Sequence, residues 1–374
     1  MLNHHQFWWR FFPKKELYQI YLSVALRSIA ISLIGIFIPL YLFQEKGLGL
    51  EKTLLFFVLY SVVFGICMPL VATFSSRYGI RHSILVGIPL YLSFVALLYF
   101  LPNTPALFIV ASGCLGASQA FYWMGMHLAF HHASHKQHRG EEVGTRASVT
   151  VLSTLLGPFI GGILITWIGF GAVFALAAVL LCASGFLLLR SKENHVLYHF
   201  SLKSVMDKKH WKDSLFFISR GTHIIADGVL WPLFIFFILG SYFSIGIVGS
   251  LMSLSSIIIY WGMGKYSDHA DRRKIIRWSS VVDSLIWIVM VFITTAMQVF
   301  GITILSSLVR AAHESPTGAL EYDKAKGQVA AYFVNREIFI CLGRILLLTI
   351  VIITNSISGG FIVQAFANVA SFLF

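Results

Sequence analysis

Arg220, His223 and Asp227 sit three and four residues apart in the apolar run "ISRGTHIIADGVLWPLFIFFIL". A helix there lines them on one stripe, with Trp231 one turn further on. A second run repeats the device with Arg310, His313, Glu314 and Thr317. Arg27 stands in an earlier run, and Tyr122, Trp123 and His127 share another. A carboxylate beside an imidazole exchanges protons near neutral pH, so Asp227 with His223, and Glu314 with His313, are candidate proton relays. The competing use is an ion pair that glues helices: Asp227 with an arginine, or Glu314 with Arg310 one turn earlier. Arg27 and Arg220, as two guanidinium forks, would suit a phosphate or carboxylate, unless each snorkels to a membrane surface. The aromatic residues Tyr122, Trp123 and Trp231 would hold an apolar or ring-bearing solute.

The elements that must position these groups follow from composition. The chain has 374 residues, 57% apolar and only 12% charged, where a soluble domain averages about 25% charged. Lipid is therefore its solvent, and an ionisable side chain at mid-membrane costs at least ~2.5–3.5 kcal/mol, which makes each one a functional candidate by default. The net charge of +12 does not signal nucleic acid, because the bases sit in short loops between apolar runs. The four cysteines lie inside apolar runs without paired spacing and read as small buried hydrophobes. No cleavable signal peptide is visible, and "MLNHHQFWWRFFPKKE" fits an interfacial segment ahead of the first span.

A bilayer core of ~30 Å takes about 20 apolar residues. That ruler gives twelve spans near 18–44, 53–75, 82–101, 105–131, 145–167, 170–190, 214–240, 243–265, 276–298, 300–320, 328–354 and 357–374. With the N-terminus inside, 21 of the 28 Lys and Arg fall in inside segments and only Lys46 and Lys52 face out. Both termini are thus expected in the cytoplasm of a plasma (inner) membrane. The long connection after the sixth span divides the chain into a bundle over 1–190, a linker over 191–213 and a bundle over 214–374. The halves repeat: at a shift of 193, Arg27 meets Arg220, Gly35 meets Gly228, Pro39 meets Pro232 and Leu40 meets Leu233. A parallel six-plus-six repeat is a transporter plan, with the solute site between the halves near the midplane.

Between spans eight and nine stands "GKYSDHADRRK", with Gly264, Asp268, Arg272, Arg273 and Lys274. It resembles the loop signature of the major facilitator superfamily, although Asp271 replaces a usual glycine and His269 a usual base. The first-half copy, "ATFSSRYGIRH", keeps Arg77, Gly79 and Arg81 but has Ala72 and Ser76 for the glycine and aspartate. Glycine lets helices approach closely, and the aspartate can take a helix N-terminus or an arginine, a latch on the cytoplasmic side. "GPFIGG", Gly157 to Gly162, is similar to the tail of an exporter signature in the same superfamily, and small residues at a helix interface explain it as well.

The resemblance implies an all-α integral membrane fold of twelve transmembrane helices in two pseudo-symmetric six-helix bundles. It implies alternating access, with spans one, four, seven and ten lining the cavity. Asp283 would lie on a peripheral span and serve structure, and Arg336, Glu337 and Arg344 would brace the cytoplasmic side. The expected activity is secondary transport of a small solute by a monomer, proton-coupled and directed toward export of drug-like or metabolite solutes. The alternative is an organic-anion or organophosphate exchanger built on Arg27 and Arg220.

A different class, a metal-dependent membrane enzyme, is suggested by "HLAFHHASHKQH", where His127, His131 and His135 share a helical face, with His132 and His138 beside them. Membrane di-iron enzymes carry such boxes, but several of them, and no second HxxHH occurs here. No enzyme activity or cofactor is therefore expected, and the run reads as solvated loop histidines, with metal transport or loose cytoplasmic metal binding as the alternative. A channel would need a filter-like segment, which is missing, as are a phosphate-cradling glycine loop and a nucleophile elbow.

Overall fold

Two prolines set the shape of the first helix in each half. A proline inside a helix lacks the N–H that bonds the residue four back and crowds that residue's carbonyl. The residues four before Pro39 and Pro232 are Gly35 and Gly228, and there the α-helix gives way: Gly35–Phe37 is a 3-10 turn and Ala226–Leu230 a π turn. Both distortions fall at the same register of the repeat, mid-membrane, where irregular turns mark bending points.

The chain is described here by a computed structural model covering residues 15–101, 105–133, 139–189, 211–325 and 329–374. The expected interfacial segment at the N-terminus, most of the 191–213 linker, and His135 and His138 lie outside the described residues. Among the described residues all regular structure is helical, in twelve segments. The first six are α1 (Lys15–Ile34, carried on to Tyr41–Glu45), α2 (Gly49–Tyr78), α3 (Ile80–Tyr99), α4 (Pro105–Ala133), α5 (Arg139–Trp167, turning at Leu155–Leu156) and α6 (Phe170–Leu189). The second six are α7 (Trp211–Leu239), α8 (Tyr242–Ser267), α9 (Arg272–Met290), α10 (Ala296–Lys324), α11 (Val329–Thr354) and α12 (Ile357–Ala367, then Asn368–Phe372).

Nine of these, all but α9, α10 and α12, are long and apolar enough to cross a membrane by length and composition. Charges at Arg272, Arg273, Lys274 and Asp283, and from Arg310 to Lys324, separate α9 and α10 from the rest. Several span edges differ from expectation by three residues or more. The ninth ends at Met290 instead of 298, and α10 starts at Ala296 because Thr295 and Gln298 cap it reciprocally. Span five begins at Arg139 instead of 145, for a reason given below.

Within the first six helices α3 packs on α4, α2 on α4 and α1 on α6; within the second six α7 packs on α11, and α8 and α9 on α10. The seam between the sets is closed by α2 against α11 and α5 against α8. Pro158 and Gly162 of "GPFIGG" sit there, a Cβ on Gly162 lying 2.8 Å from the Tyr242 carbonyl oxygen, whereas Gly161 packs on Leu33 and Phe37 of α1. That placement accords with helix packing. The outer surface is apolar and exposed, as at Ile258, Ile353 and Leu70, with Trp167 near one end and Trp211 and Trp278 near the other. Such aromatic girdles mark bilayer interfaces. The end carrying Arg77, Arg81, Arg139 and Arg272 is called the basic end below; the far end carries Glu45 and Tyr242.

Candidate functional site

The polar groups of the two halves meet most densely at the basic end. Asp268, at the close of α8, accepts hydrogen bonds from the backbone N–H groups of Gly140 and Glu141 at 2.8 and 2.9 Å. These are orphan donors of the first turn of α5, so the carboxylate caps that helix and meets its positive end. Hence α5 starts at Arg139. The approach depends on Gly264: a Cβ there would lie 2.7 Å from the Gly140 carbonyl oxygen and 2.8 Å from Gly144 Cα. Arg272 then bonds Asp268 at 2.6 Å and Asp323 at 2.5 Å, and Arg139 from the first half reaches Asp323 at 2.9 Å.

The first-half copy of the motif makes no such latch through its central position. Ser76 bonds the Thr73 carbonyl of its own helix at 2.8 Å. Arg77 lies over the Tyr78 ring, Arg81 donates to the Leu189 carbonyl, and Gly79, at φ +95°, makes the turn between α2 and α3. Arg273 is exposed beside the α9 cap, where its N–H bonds Asp271.

His127 belongs to this end, not to an open cavity. Its Nδ1 is 3.0 Å from the Tyr322 hydroxyl, its Nε2 is 3.2 Å from Glu337, and its ring stacks on Phe333 with centroids 4.1 Å apart. From Glu337 a chain of ion pairs runs inward. Arg336 bonds both Glu337 and Glu321, Glu321 faces Arg220 at 3.7 Å, and Arg220 bonds Glu314 at 2.7 Å. At the far end contact is lighter: the Tyr242 hydroxyl donates to Glu45 at 2.9 Å, and Phe43 meets Phe237 edge-on.

The stripe of α7 is present, but its members take separate partners. Arg220 pairs with Glu314, Asp227 with Arg310, and His223 with Asp283 at 3.3 Å. Asp227 and His223 share no hydrogen bond, because an arginine on α10 offers the carboxylate a permanent opposite charge. Glu314 likewise turns to Arg220 and not to Arg310 or His313, and His313 faces Thr317. Asp283 anchors a buried polar knot: Trp287 Nε1 donates to it at 3.0 Å and Asn368 at 2.8 Å, while Gln364 reaches His223. Trp231, expected in the cavity, is 1% exposed and packs on Phe234 and Phe361. Its indole fills the core between α7 and α12.

Arg27 and Arg220 do not share a partner. Arg27 is 3% exposed, with its guanidinium 3.4 Å over the Tyr122 ring and 5.7 Å from that of Tyr91. Among the described residues it bonds no carboxylate, and its Nη2 is buried without a hydrogen-bond partner. Trp123, the next residue along α4, is 38% exposed. Sequence reasoning missed Tyr60, Arg139, Tyr322 and Asp323. The "EYDK" ending of α10, acid and phenol just before a basic connection, was a usable signal for the last two; Tyr60 carried none among 14 tyrosines. No group of three or more His, Cys, Asp or Glu among the described residues is placed to hold a metal ion.

Comparisons with known proteins agree with this fold. The model of the Major Facilitator Superfamily matches residues 20–347. No curated protein sequence matches the chain. Among solved structures, the human organic anion transporter MFSD10 (TETRAN) aligns with TM-score 0.69 at 12% identity, over 96% of this chain and 99% of that one. A bacterial homologue of the iron transporter ferroportin, outward-facing, gives 0.69 at 14% identity over 96% and 97%. The E. coli fucose:proton symporter FucP gives 0.67 at 11% identity over 96% and 98%. At these identities the likeness is one of fold.

Proposed function

Because the chain belongs to the Major Facilitator Superfamily, a family of transporters and not of enzymes, we propose that it moves a small organic anion across the membrane by alternating access. The seam between α1–α6 and α7–α12 is the path. The Asp268–α5 cap and the Arg272–Asp323–Arg139 bridge form the gate at the basic end, which the distribution of Lys and Arg assigns to the cytoplasm of the plasma (inner) membrane. Phe43, Phe237, Tyr242 and Glu45 form the lighter gate opposite. The first half thus moves against the second as one body, and the bending points before Pro39 and Pro232 let α1 and α7 adjust.

One observation carries the anion: among the described residues Arg27 is a buried cation with no carboxylate to balance it. Three other arginines at membrane depth, Arg220, Arg310 and Arg336, each bond an acid. An unpaired buried charge is costly, and a ligand of opposite sign removes that cost. Tyr122 and Tyr91 beside it would face the solute's apolar body. Uptake of labelled organic anions, sugars and organic cations into proteoliposomes, with wild type and Arg27→Gln, tests this. Anion uptake lost in the variant supports it; uptake of a neutral or cationic solute alone sinks it.

Proton coupling is a second reading with its own support. The Glu314 and Asp227 side chains are 37% and 20% exposed although each is paired with an arginine, so water reaches both. A proton arriving on Glu314 would release Arg220 toward Glu321 and, through Arg336, slacken Glu337 and His127 at the basic gate. Acidification of vesicles during solute movement, lost in Glu314→Gln and Asp227→Asn, is the expected result; equal proton flux in the variants would remove this reading.

A further inference from the structure

Among the described residues Arg344 is a second membrane-embedded arginine that bonds no carboxylate. It is 5% exposed, its Nη1 donates to the Tyr60 hydroxyl at 3.0 Å, and its Nε is buried without an acceptor. Its guanidinium lies 5.6 Å from the Tyr60 ring and 5.2 Å from that of Phe64. The nearest acid on its own helix, Glu337, is two turns back and already held by Arg336 and His127. The helix α4, whose Tyr122 ring lies under Arg27, packs directly on Tyr60: a Cβ on Gly116 would lie 2.6 Å from the Tyr60 carbonyl oxygen. The two guanidinium groups that bond no described carboxylate thus rest against the packed α2–α4 pair, one from each half of the molecule.

Resting on the anion reading above, we propose that the charged head of the solute, a carboxylate or phosphate, binds between Arg27 of α1 and Arg344 of α11 with Tyr60 of α2 as third donor. The chemistry of the three groups agrees. Both arginines are donors only, and Tyr60 accepts from Arg344, which leaves its own hydroxyl proton to be donated. Three donors converging with net positive charge suit an oxygen anion and repel a cation. Tyr91, Tyr122 and Phe64 wall the site with ring faces, so an apolar or aromatic body fits behind the head. The site spans the seam where α2 packs on α11. An anion there ties the halves together near the midplane, which neither half accomplishes alone. Arg220, the symmetry mate of Arg27, is excluded from this role by its own acids, Glu314 and Glu321.

Equilibrium binding of labelled benzoate and of inorganic phosphate to the purified full chain in nanodiscs tests the site. Loss of a hydrogen bond to a charged group weakens binding by roughly 10- to 150-fold. Arg344→Gln is expected to show a loss in that range, Arg344→Lys a smaller one, and Tyr60→Phe a loss of about 2- to 10-fold. Size-exclusion profiles report folding, and if Arg344→Gln is not monodisperse, Arg344→Lys and Tyr60→Phe decide. Binding of benzoate alone assigns a carboxylate head, and of phosphate alone a phosphate head. If neither anion binds wild type, the anion reading itself falls. If an anion binds and Arg27→Gln abolishes it while the Arg344 and Tyr60 variants match wild type, only the shared site is overturned.

Discussion

Replacing Asp268 by asparagine removes one negative charge and one acceptor from the basic gate and changes little else in shape. The carboxylate, 5% exposed, accepts two N–H bonds from the first turn of α5 and one from Arg272. Asparagine keeps one oxygen; its amide nitrogen then points at a donor, and the Arg272 contact becomes charged-to-neutral. A hydrogen bond to a charged group contributes about 1.5–3 kcal/mol, and a carboxylate at a helix N-terminus about 0.3–1 kcal/mol. Allowing for relaxation and non-additivity, the closed gate should lose ~2–3 kcal/mol, a shift of about 30- to 150-fold toward the open form. Spin labels at Tyr78→Cys on α2 and Lys274→Cys on α9, with the four native cysteines replaced by alanine, report the opening as a longer distance population. Ser76→Asn, at the equivalent position of the first half, is the control, since among the described residues Ser76 bonds only its own helix. A change in Asp268→Asn smaller than about two-fold, or an equal change in the control, would refute the idea that the cap holds this gate.

Other expectations follow from the same packing. Gly264→Leu should lower the apparent unfolding temperature in detergent by overpacking α8 against α5, at a cost of about 1–3 kcal/mol, and should mimic Asp268→Asn in the distance measurement. Trp231→Ala should destabilise by about 3–5 kcal/mol through a core cavity, whereas Trp123→Ala, at a half-open position, should leave the melting curve close to wild type. Asp283→Ala strips the acceptor from Trp287 and Asn368 and the partner from His223, so its melting temperature should fall further than that of Glu314→Gln. The reverse order would move Asp283 from the scaffold into the transport machinery.

The helical content, the twelve segments and the stripes of α7 and α10 were legible because membrane length and helical periodicity are local properties. So was the offer of Asp268 to a helix end, since its spacing from Gly264 places both on the closing turns of one helix. Partner choice was not legible. Asp227, His223 and Glu314 each lie within one turn of a plausible mate on their own helix, yet each is claimed from another helix by an opposite charge. Arg27 and Arg220 match in sequence register but differ in surroundings: acids on α10 face α7, and tyrosines on α3 and α4 face α1. The repeat thus preserved the backbone, with both prolines bending their helices at the same place, while the chemistry of the two halves diverged. Tyr60 and Arg344 sit in ordinary apolar context, and only the crossing of α2 and α11 brings them together.

Cross-linking the lighter gate tests alternating access most directly. Phe43 and Phe237 face each other from opposite halves, with ring centroids 5.4 Å apart; Phe43→Cys and Phe237→Cys can be joined by oxidation or a short bifunctional maleimide. In proteoliposomes that take up an organic anion, counterflow by the cross-linked protein should fall to that of protein-free vesicles and return on reduction of the disulfide. Counterflow that continues undiminished with the far end locked shut would contradict the account.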